Sequence, residues 1–229
     1  MLNSLVSLKL QAYATILKKI INTEYKPGQR ISEKELGEEL NIGRTPVREA
    51  LLQLRQEGLI NVVPQSGTYI TKIDLEVAVS ARFIRESIEI RIIKEAAATA
   101  PASPRLHTIL NNQKFFSKQK EFERFFAEDE AFHEEFYRMT NHQQVWDWLQ
   151  TINMQLNRFR MLRLKVVELP WKTLIDEHQK ILTAVEQHKP AEAERLIENH
   201  LHLMLDEEGA LLKTFPDYFT NLPTAEDAE

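Results

Sequence analysis

The 229-residue chain contains no cysteine. That absence removes disulfides, thiolate metal sites and cysteine nucleophiles together, and it suits a reducing compartment. Glycine and proline are sparse, 6 and 9 residues, which argues against a fold built from hairpins and tight turns. No apolar run approaches the roughly 20 residues of a membrane-spanning helix, so no membrane partner is expected. Residues 1–11 lack the apolar stretch of a secretory signal, and the expected location is cytoplasmic. What is present suffices for a packed interior. With 43% hydrophobic and 28% charged residues, the chain is not wholly disordered. Its length allows one large domain or two modest ones at about 100–200 residues each.

The formal net charge of −5 is unpromising for a nucleic-acid binder until the charges are located. Residues 1–72 hold ten Lys/Arg against seven Glu, a balance of +3, which leaves 19 basic and 27 acidic residues, a balance of −8, for the remainder. Such asymmetry points to different partners for the two parts. Local pattern changes at the same place. The one clear hairpin is Leu59–Val63, a Pro64-Gln65-Ser66-Gly67 turn, then Thr68–Thr71, β-branched runs bounded by turn residues. After Asp74 the pattern is helical almost to the end. The expected division is 1–73, 74–215, and a flexible acidic tail at 216–229.

Leu10, Tyr13, Leu17 and Ile20 recur at helical spacing and predict a first helix ending before Lys26-Pro27-Gly28. Ser32 and Glu35 form a capping box for a second helix, with Ile31 and Leu36 at the hydrophobic-staple positions. Asn41-Ile42-Gly43 is a tight turn. A third helix opens at Thr45-Pro46, where proline is tolerated, and buries Val47, Ala50, Leu51 and Leu54. Arg44, Arg48 and Arg55 share another face. A basic helix face taken alone is commonly just solvated. Here three helices, a short turn and a hairpin stand in the order of a winged helix-turn-helix, whose third helix enters the DNA major groove. Guanidinium forks on that helix suit guanine edges or phosphates.

Beyond residue 74 the predicted helices are 75–99, 104–118, 121–139, 143–166, 170–188 and 191–213, sized for an antiparallel all-α bundle. The fold class is therefore mainly α, a winged helix-turn-helix followed by that bundle. Phe115, Phe116, Phe122, Phe125, Phe126, Phe132 and Phe136 read mostly as core. Asp129 and His133 leave one face of a helix at i, i+4, a spacing that also fits a plain surface contact. His178 lies eleven residues before Lys189 and His200 eleven after it. In an antiparallel helix pair both then stand about 16 Å from the turn. Two imidazoles at one level and an Asp/His pair on a third helix can converge on one ion. Three nitrogens and a carboxylate suit Zn²⁺ first, with Ni²⁺ or Mn²⁺ as alternatives. His202 points elsewhere, and His107, His142 and His188 fall at helix ends where solvent is expected.

Two resemblances follow from these residues. Lys26–Leu36, Gly43–Leu51, Glu57–Ile60 and Gly67–Ile70 resemble the GntR family of bacterial transcription regulators. That resemblance implies base or phosphate contacts from Lys34, Arg44, Thr45 and Arg48, with Ser66-Gly67 at the minor groove. Gly43 departs from the family's usual Ser or Thr, and Thr23 from a common Gly. Arg85…Glu89, Asp129–His133, Asn141, Glu177–Leu182 and His200-Leu201 resemble the helical effector-binding FCD domain of the FadR subfamily. It implies a metal held by Asp129, His133, His178 and His200, with a small organic acid beside it.

Arg85 is the expected anchor for that acid's carboxylate. A salt bridge to Glu89 is its alternative role, and Arg158 or Arg160 could serve instead. Asn141 would orient a ligand hydroxyl or cap the next helix. The function expected is a homodimeric regulator on double-stranded DNA, reading a short near-palindromic operator under control of a metabolite. The rival is a metal-dependent hydrolase or lyase with an accessory DNA-binding domain. A third reading leaves the helical half to dimerisation alone.

Overall fold

The computed structural model describes residues 2–99, 101, 103–165, 171–202 and 208–221, with side chains from residue 7 and without that of Glu208. Its contacts divide the chain into two units, Met1–Leu75 with the segment from Thr214 onward, and Glu76–Lys213.

In the first unit α1 (Leu2–Ile21), α2 (Glu33–Leu40) and α3 (Arg44–Gln56) surround one apolar interior. The buried stripe of α1 is Ala12, Ile16 and Ile20, while Leu10, expected inside, is exposed. Ser32 caps α2 by accepting from the Glu35 amide at 3.2 Å, and its hydroxyl donates to the Glu35 carboxylate at 2.8 Å. Asn41 closes α2 in the left-handed region at φ 52°, a conformation asparagine tolerates. Pro46, Val47, Ala50, Leu51 and Leu54 are the buried side of α3. The wing strands β2 (Ile60–Val63) and β3 (Gly67–Ile70) pair antiparallel, with Val63 opposite Gly67. A short strand β1 (Arg30–Ile31), absent from the sequence reading, pairs with β3 on its other edge. Gly67 adopts φ +140°, a conformation that favours glycine, and a Cβ there would also lie 2.8 Å from Nε of the flexible Arg30 side chain.

Pro216–Tyr218 form a 3-10 turn, and β5 (Phe219–Thr220) pairs in parallel with β4 (Ile73–Asp74). Residues 216–221 are therefore ordered by strand pairing, where a flexible tail was expected. The rest of that expected tail, 222–229, lies outside the described residues.

The second unit contains α4 (Leu75–Thr99, from Glu76), α5 (Pro104–Gln119), α6 (Phe122–Met139), α7 (Gln143–Ile152), α8 (Met154–Lys165), α9 (Trp171–Glu186) and α10 (Pro190–His202). A last helix, α11 (Glu208–Thr214), runs to the boundary between the units. The helix expected over 143–166 is two helices, broken at the fully buried Asn153, a poor residue for a helix interior. The junction within the helix expected over 191–213 lies outside the described residues. Hairpins α5–α6 and α9–α10 pack around Ile93, Leu106, Phe132, Phe136, Ile181 and Ile197. Phe125, Phe126, Phe132 and Phe136 are core, whereas Phe115 is 56% exposed.

Candidate functional site

Lys34, Arg44, Thr45 and Arg48 are exposed on α2 and α3, and Ser66 is exposed at the wing tip beside partly buried Gly67. The apolar side of α3 fixes which residues face out: the helix buries Val47, Ala50, Leu51 and Leu54, so Arg44, Arg48 and Arg55 take the opposite side. Gly43 precedes α3 without a capping side chain. Three of the exposed groups already have intramolecular partners. Lys34 Nζ lies 3.9 Å from Glu38 Oε1. Arg48 donates from Nε and Nη2 to the Glu33 carboxylate at 2.9 Å each. Ser66 Oγ and the Tyr69 hydroxyl are 2.7 Å apart.

The second unit gathers His133 from α6, His178 from α9 and His200 from α10, all buried, with ligand-capable atoms within 4.8 Å of one another. His178 Nε2 and His200 Nε2 are 3.2 Å apart, as equal heights on an antiparallel pair require. Each ring has a polar anchor on its other nitrogen. Glu89 Oε1 faces His133 Nδ1, Gln113 Oε1 lies 2.9 Å from His178 Nδ1, and Glu177 Oε2 lies 2.7 Å from His200 Nδ1. Ionised carboxylates only accept, and Gln113 is oriented by its Nε2, which donates to the Glu128 carbonyl at 3.1 Å. All three Nδ1 atoms must therefore carry protons.

The consequence lies at the centre of the cluster. With Nδ1 anchored, each ring turns its Nε2 toward the others, and His133 Nε2 is buried with no hydrogen-bond partner. Burial, together with the Arg85 charge at His133 and His200 at His178, holds both rings well below the ordinary histidine value. They stay neutral, the form that ligates metal. Two nitrogens about 2.0–2.1 Å from one tetrahedral ion lie about 3.3 Å apart. The donor set, and the spacing of the His178–His200 pair, fit Zn²⁺. Phe132 stacks on His178 with centroids 4.2 Å apart and blocks ring rotation on that side.

Asp129 lies at the edge of the cluster, with Oδ1 3.7 Å from His178 Nε2 and Oδ2 4.0 Å from His133 Nε2. Its Oδ2 also accepts from Arg160 Nη2. Burial would raise this carboxyl, but the Arg160 guanidinium outweighs it and holds it well below the usual carboxylate range. Arg160 reaches Glu130 and, at 2.8 Å, Asn157 as well. A cavity of about 20 Å³, room for about one water, is bounded by Asp129, Arg160, His200 and Leu174.

Arg85 is fully buried. Its Nε donates to Glu89 Oε2 at 2.9 Å, and its Nη1 lies 3.7 Å from Glu130 Oε1. The alternative salt bridge is thus present, yet both terminal nitrogens of Arg85 lack a hydrogen-bond partner. Its charge is kept despite burial by Glu89 and Glu130. Arg158 is buried too and is pushed down to about 9 by desolvation; its Nη1 donates to Gln155 at 3.0 Å.

Asn141 must be corrected. It is exposed, at φ 61°, in the turn that ends α6, roughly 12 Å along the helix from His133 at 1.5 Å per residue. The N-cap position of the following helix is His142, which makes no side-chain capping bond, so Asn141 is not that N-cap and stands apart from the cluster. His107 and His142 face Glu186 and Glu95 at the surface, and His202 is exposed. Sequence reasoning missed Gln113 and Glu177 as anchors, and took Glu89 only as a partner for Arg85. The i, i+4 or adjacent spacing of Glu89 and Glu177 to Arg85 and His178 was visible, but their facing helices were not. It also missed Tyr137, one turn past His133, whose hydroxyl is buried without a hydrogen-bond partner.

An exposed recognition helix beside a β wing makes this a DNA-binding transcription regulator. The chain belongs to the GntR family of bacterial regulatory proteins: residues 8–70 match the gntR family and residues 81–203 the FCD domain. It is similar to the HTH-type transcriptional repressor RspR of Escherichia coli K12, 28% identical over 96% of each chain. An HTH-type regulator from an unstable DNA locus of Streptomyces ambofaciens is 30% identical, over 90% of this chain and 87% of that one. The fold is shared with McbR/YncC of E. coli at TM-score 0.75 and 18% identity, over 91% of this chain and 98% of the other. A GntR chain from Rhodococcus sp. RHA1 matches at TM-score 0.72 and 19% identity, over 90% and 98%. These families and relatives are transcription regulators, which sets aside the hydrolase reading. No helix among the described residues is long and apolar enough to cross a membrane.

Proposed function

We propose that this regulator is a cytoplasmic homodimer whose helical unit holds a divalent transition metal, Zn²⁺ in the first instance, and a small carboxylate that together set its affinity for a near-palindromic operator. The observation that carries the reading is the pair of facing Nε2 atoms at 3.2 Å with the orphaned Nε2 of His133 beside them. One ion among the three rings would give all three Nε2 atoms a partner at once. His133, His178 and His200 would hold it, and Asp129 is close enough to join. When bound, the ion supplies a positive centre that attracts an organic anion. Arg85 has two terminal nitrogens without a hydrogen bond to offer the same anion, and Arg160 and Arg163 line the cavity. Lys34, Arg44, Thr45 and Arg48, with Ser66 and Gly67 at the wing, would meet the DNA. An anion alters operator affinity only if it binds the DNA-competent and DNA-incompetent conformations unequally.

The test is elemental analysis of purified full-length protein, followed by chelator competition. Wild type should hold one transition-metal ion per chain, and the Asp129→Ala, His178→Ala double variant none. A metal-free wild type that does not take up Zn²⁺ overturns the site. A thermal-shift screen of sugar acids, hydroxy acids and dicarboxylates on Zn²⁺-loaded protein then seeks the anion, which should raise the midpoint with concentration.

A further inference from the structure

We propose that Glu33 is a specificity-determining positioning residue: it clamps one edge of the Arg48 guanidinium, so that Arg48 serves as a base reader and not as a mobile phosphate contact. The inference rests on the reading of Arg48 as a DNA contact. A guanidinium has two edges that can make paired hydrogen bonds, one from Nε and Nη2 and one from Nη1 and Nη2. Glu33 fills the first. Nε donates to Oε1 at 2.9 Å and to Oε2 at 3.1 Å, and Nη2 donates to Oε2 at 2.9 Å. The second edge stays open, and it carries the donor pair that matches guanine O6 and N7.

The two residues come from different helices. Glu33 is in the first turn of α2, whose position is set by the Ser32 cap and buried Leu36. Arg48 projects from the exposed side of α3. The clamp therefore ties the guanidinium to a fixed point outside its own helix. Arg48 remains 63% exposed, so the pair restrains the side chain without hiding it.

Two consequences follow for DNA. Neutralising Arg48 locally removes one cation from those that displace counterions on any sequence, so Glu33 weakens sequence-independent binding. Holding the open edge in one orientation lowers the entropy cost of a bidentate contact with a correctly placed guanine. Both effects widen the gap between specific and non-specific affinity.

The experiment uses full-length protein on a short random-sequence duplex, titrated at several salt concentrations. Glu33→Gln should bind this duplex more tightly, on the order of threefold, with a log–log salt slope steeper by about 0.9, the contribution of one added phosphate contact. Glu49→Gln makes the same charge change at an exposed position of α3 and should leave the slope unchanged. In an Arg48→Gln background, Glu33→Gln should have no effect. Selection from a randomised duplex pool should show Glu33→Gln losing preference at one base pair per half-site. Equal gains from Glu33→Gln and Glu49→Gln, or a gain that persists without Arg48, overturn the clamp. If Arg48→Gln selects the same sequences as wild type from the randomised pool, the DNA-contact reading itself falls. Thermal unfolding midpoints within a degree or two of wild type confirm that the variants are folded.

Discussion

The two units handle charge in opposite ways. In the winged unit the chemistry is exposed: Lys34, Arg44 and Arg48 stand in solvent on helices whose other sides are apolar. In the helical unit it is internal, with Arg85, Glu89, His133 and His178 buried among phenylalanines and isoleucines. An exposed cation meets a polyanion at little desolvation cost and at the ionic-strength dependence of any surface charge. A buried one requires a partner for every polar atom. That requirement is why the helical unit carries Glu89, Gln113 and Glu177 behind its histidines, and why its unpartnered atoms point to ligands. Surface charge in the first unit reads a partner by field and fork. Polar atoms inside the second define what must enter.

Four perturbations sharpen this contrast. Phe132→Ala deletes a fully buried ring stacked on His178, and should destabilise the protein by about 3–5 kcal/mol in denaturant melts; a cost under 1 kcal/mol would mean that the cluster is not packed as seen. Acidification should come next. His133 and His178 have folded pKa values below the ordinary 6.5, so the unfolded chain binds protons first. Stability of metal-free protein is then full above pH 6.5 and falls below it by about 1.4 kcal/mol per pH unit for each ring. Hydrogen exchange at pH 7.5 and 5.5 should show the loss in α6 and α9, and equal losses in α1–α3 would contradict it.

Glu177→Gln removes the carboxylate behind His200 and should weaken Zn²⁺ binding by about 10–100-fold in chelator competition, with DNA affinity of the metal-free protein unchanged. An unaltered Zn²⁺ affinity would show that His200 needs no anchor. Arg44→Ala should barely change stability, within about 0.5 kcal/mol, and yet weaken duplex binding with a shallower salt slope. Zn²⁺ binding that changed with it would break the separation between the units.

Much of this was legible because it is local. The Ser32 capping box, the Asn41 turn, the Pro46 helix start and the 60–70 hairpin follow from neighbouring residues, and the structure has each of them. The meeting of His178 and His200 was also readable, since equal distances from one turn fix height along a helix pair. Strand β1 was not legible. Two residues carry no periodicity, and Arg30–Ile31 becomes a strand only because β3 offers an open edge. The helix break at Asn153 was hidden for a similar reason: residues 143–165 keep enough helical character on both sides to read as one segment. Asn141 was misplaced because sequence distance along a helix was not converted into height above the cluster.

Sequence alone determined the class of protein, the order of its elements, and which residue types could ligate a metal in a chain without cysteine. Those depend on local propensity and on composition. Only the tertiary structure decided which side chains face one another. It set Glu89, Gln113 and Glu177 behind the three rings, left two Arg85 nitrogens without a hydrogen bond, and joined Glu33 to Arg48. Such pairings depend on the rotation of one helix against another, which is set by how whole apolar faces pack and leaves no mark at any single position.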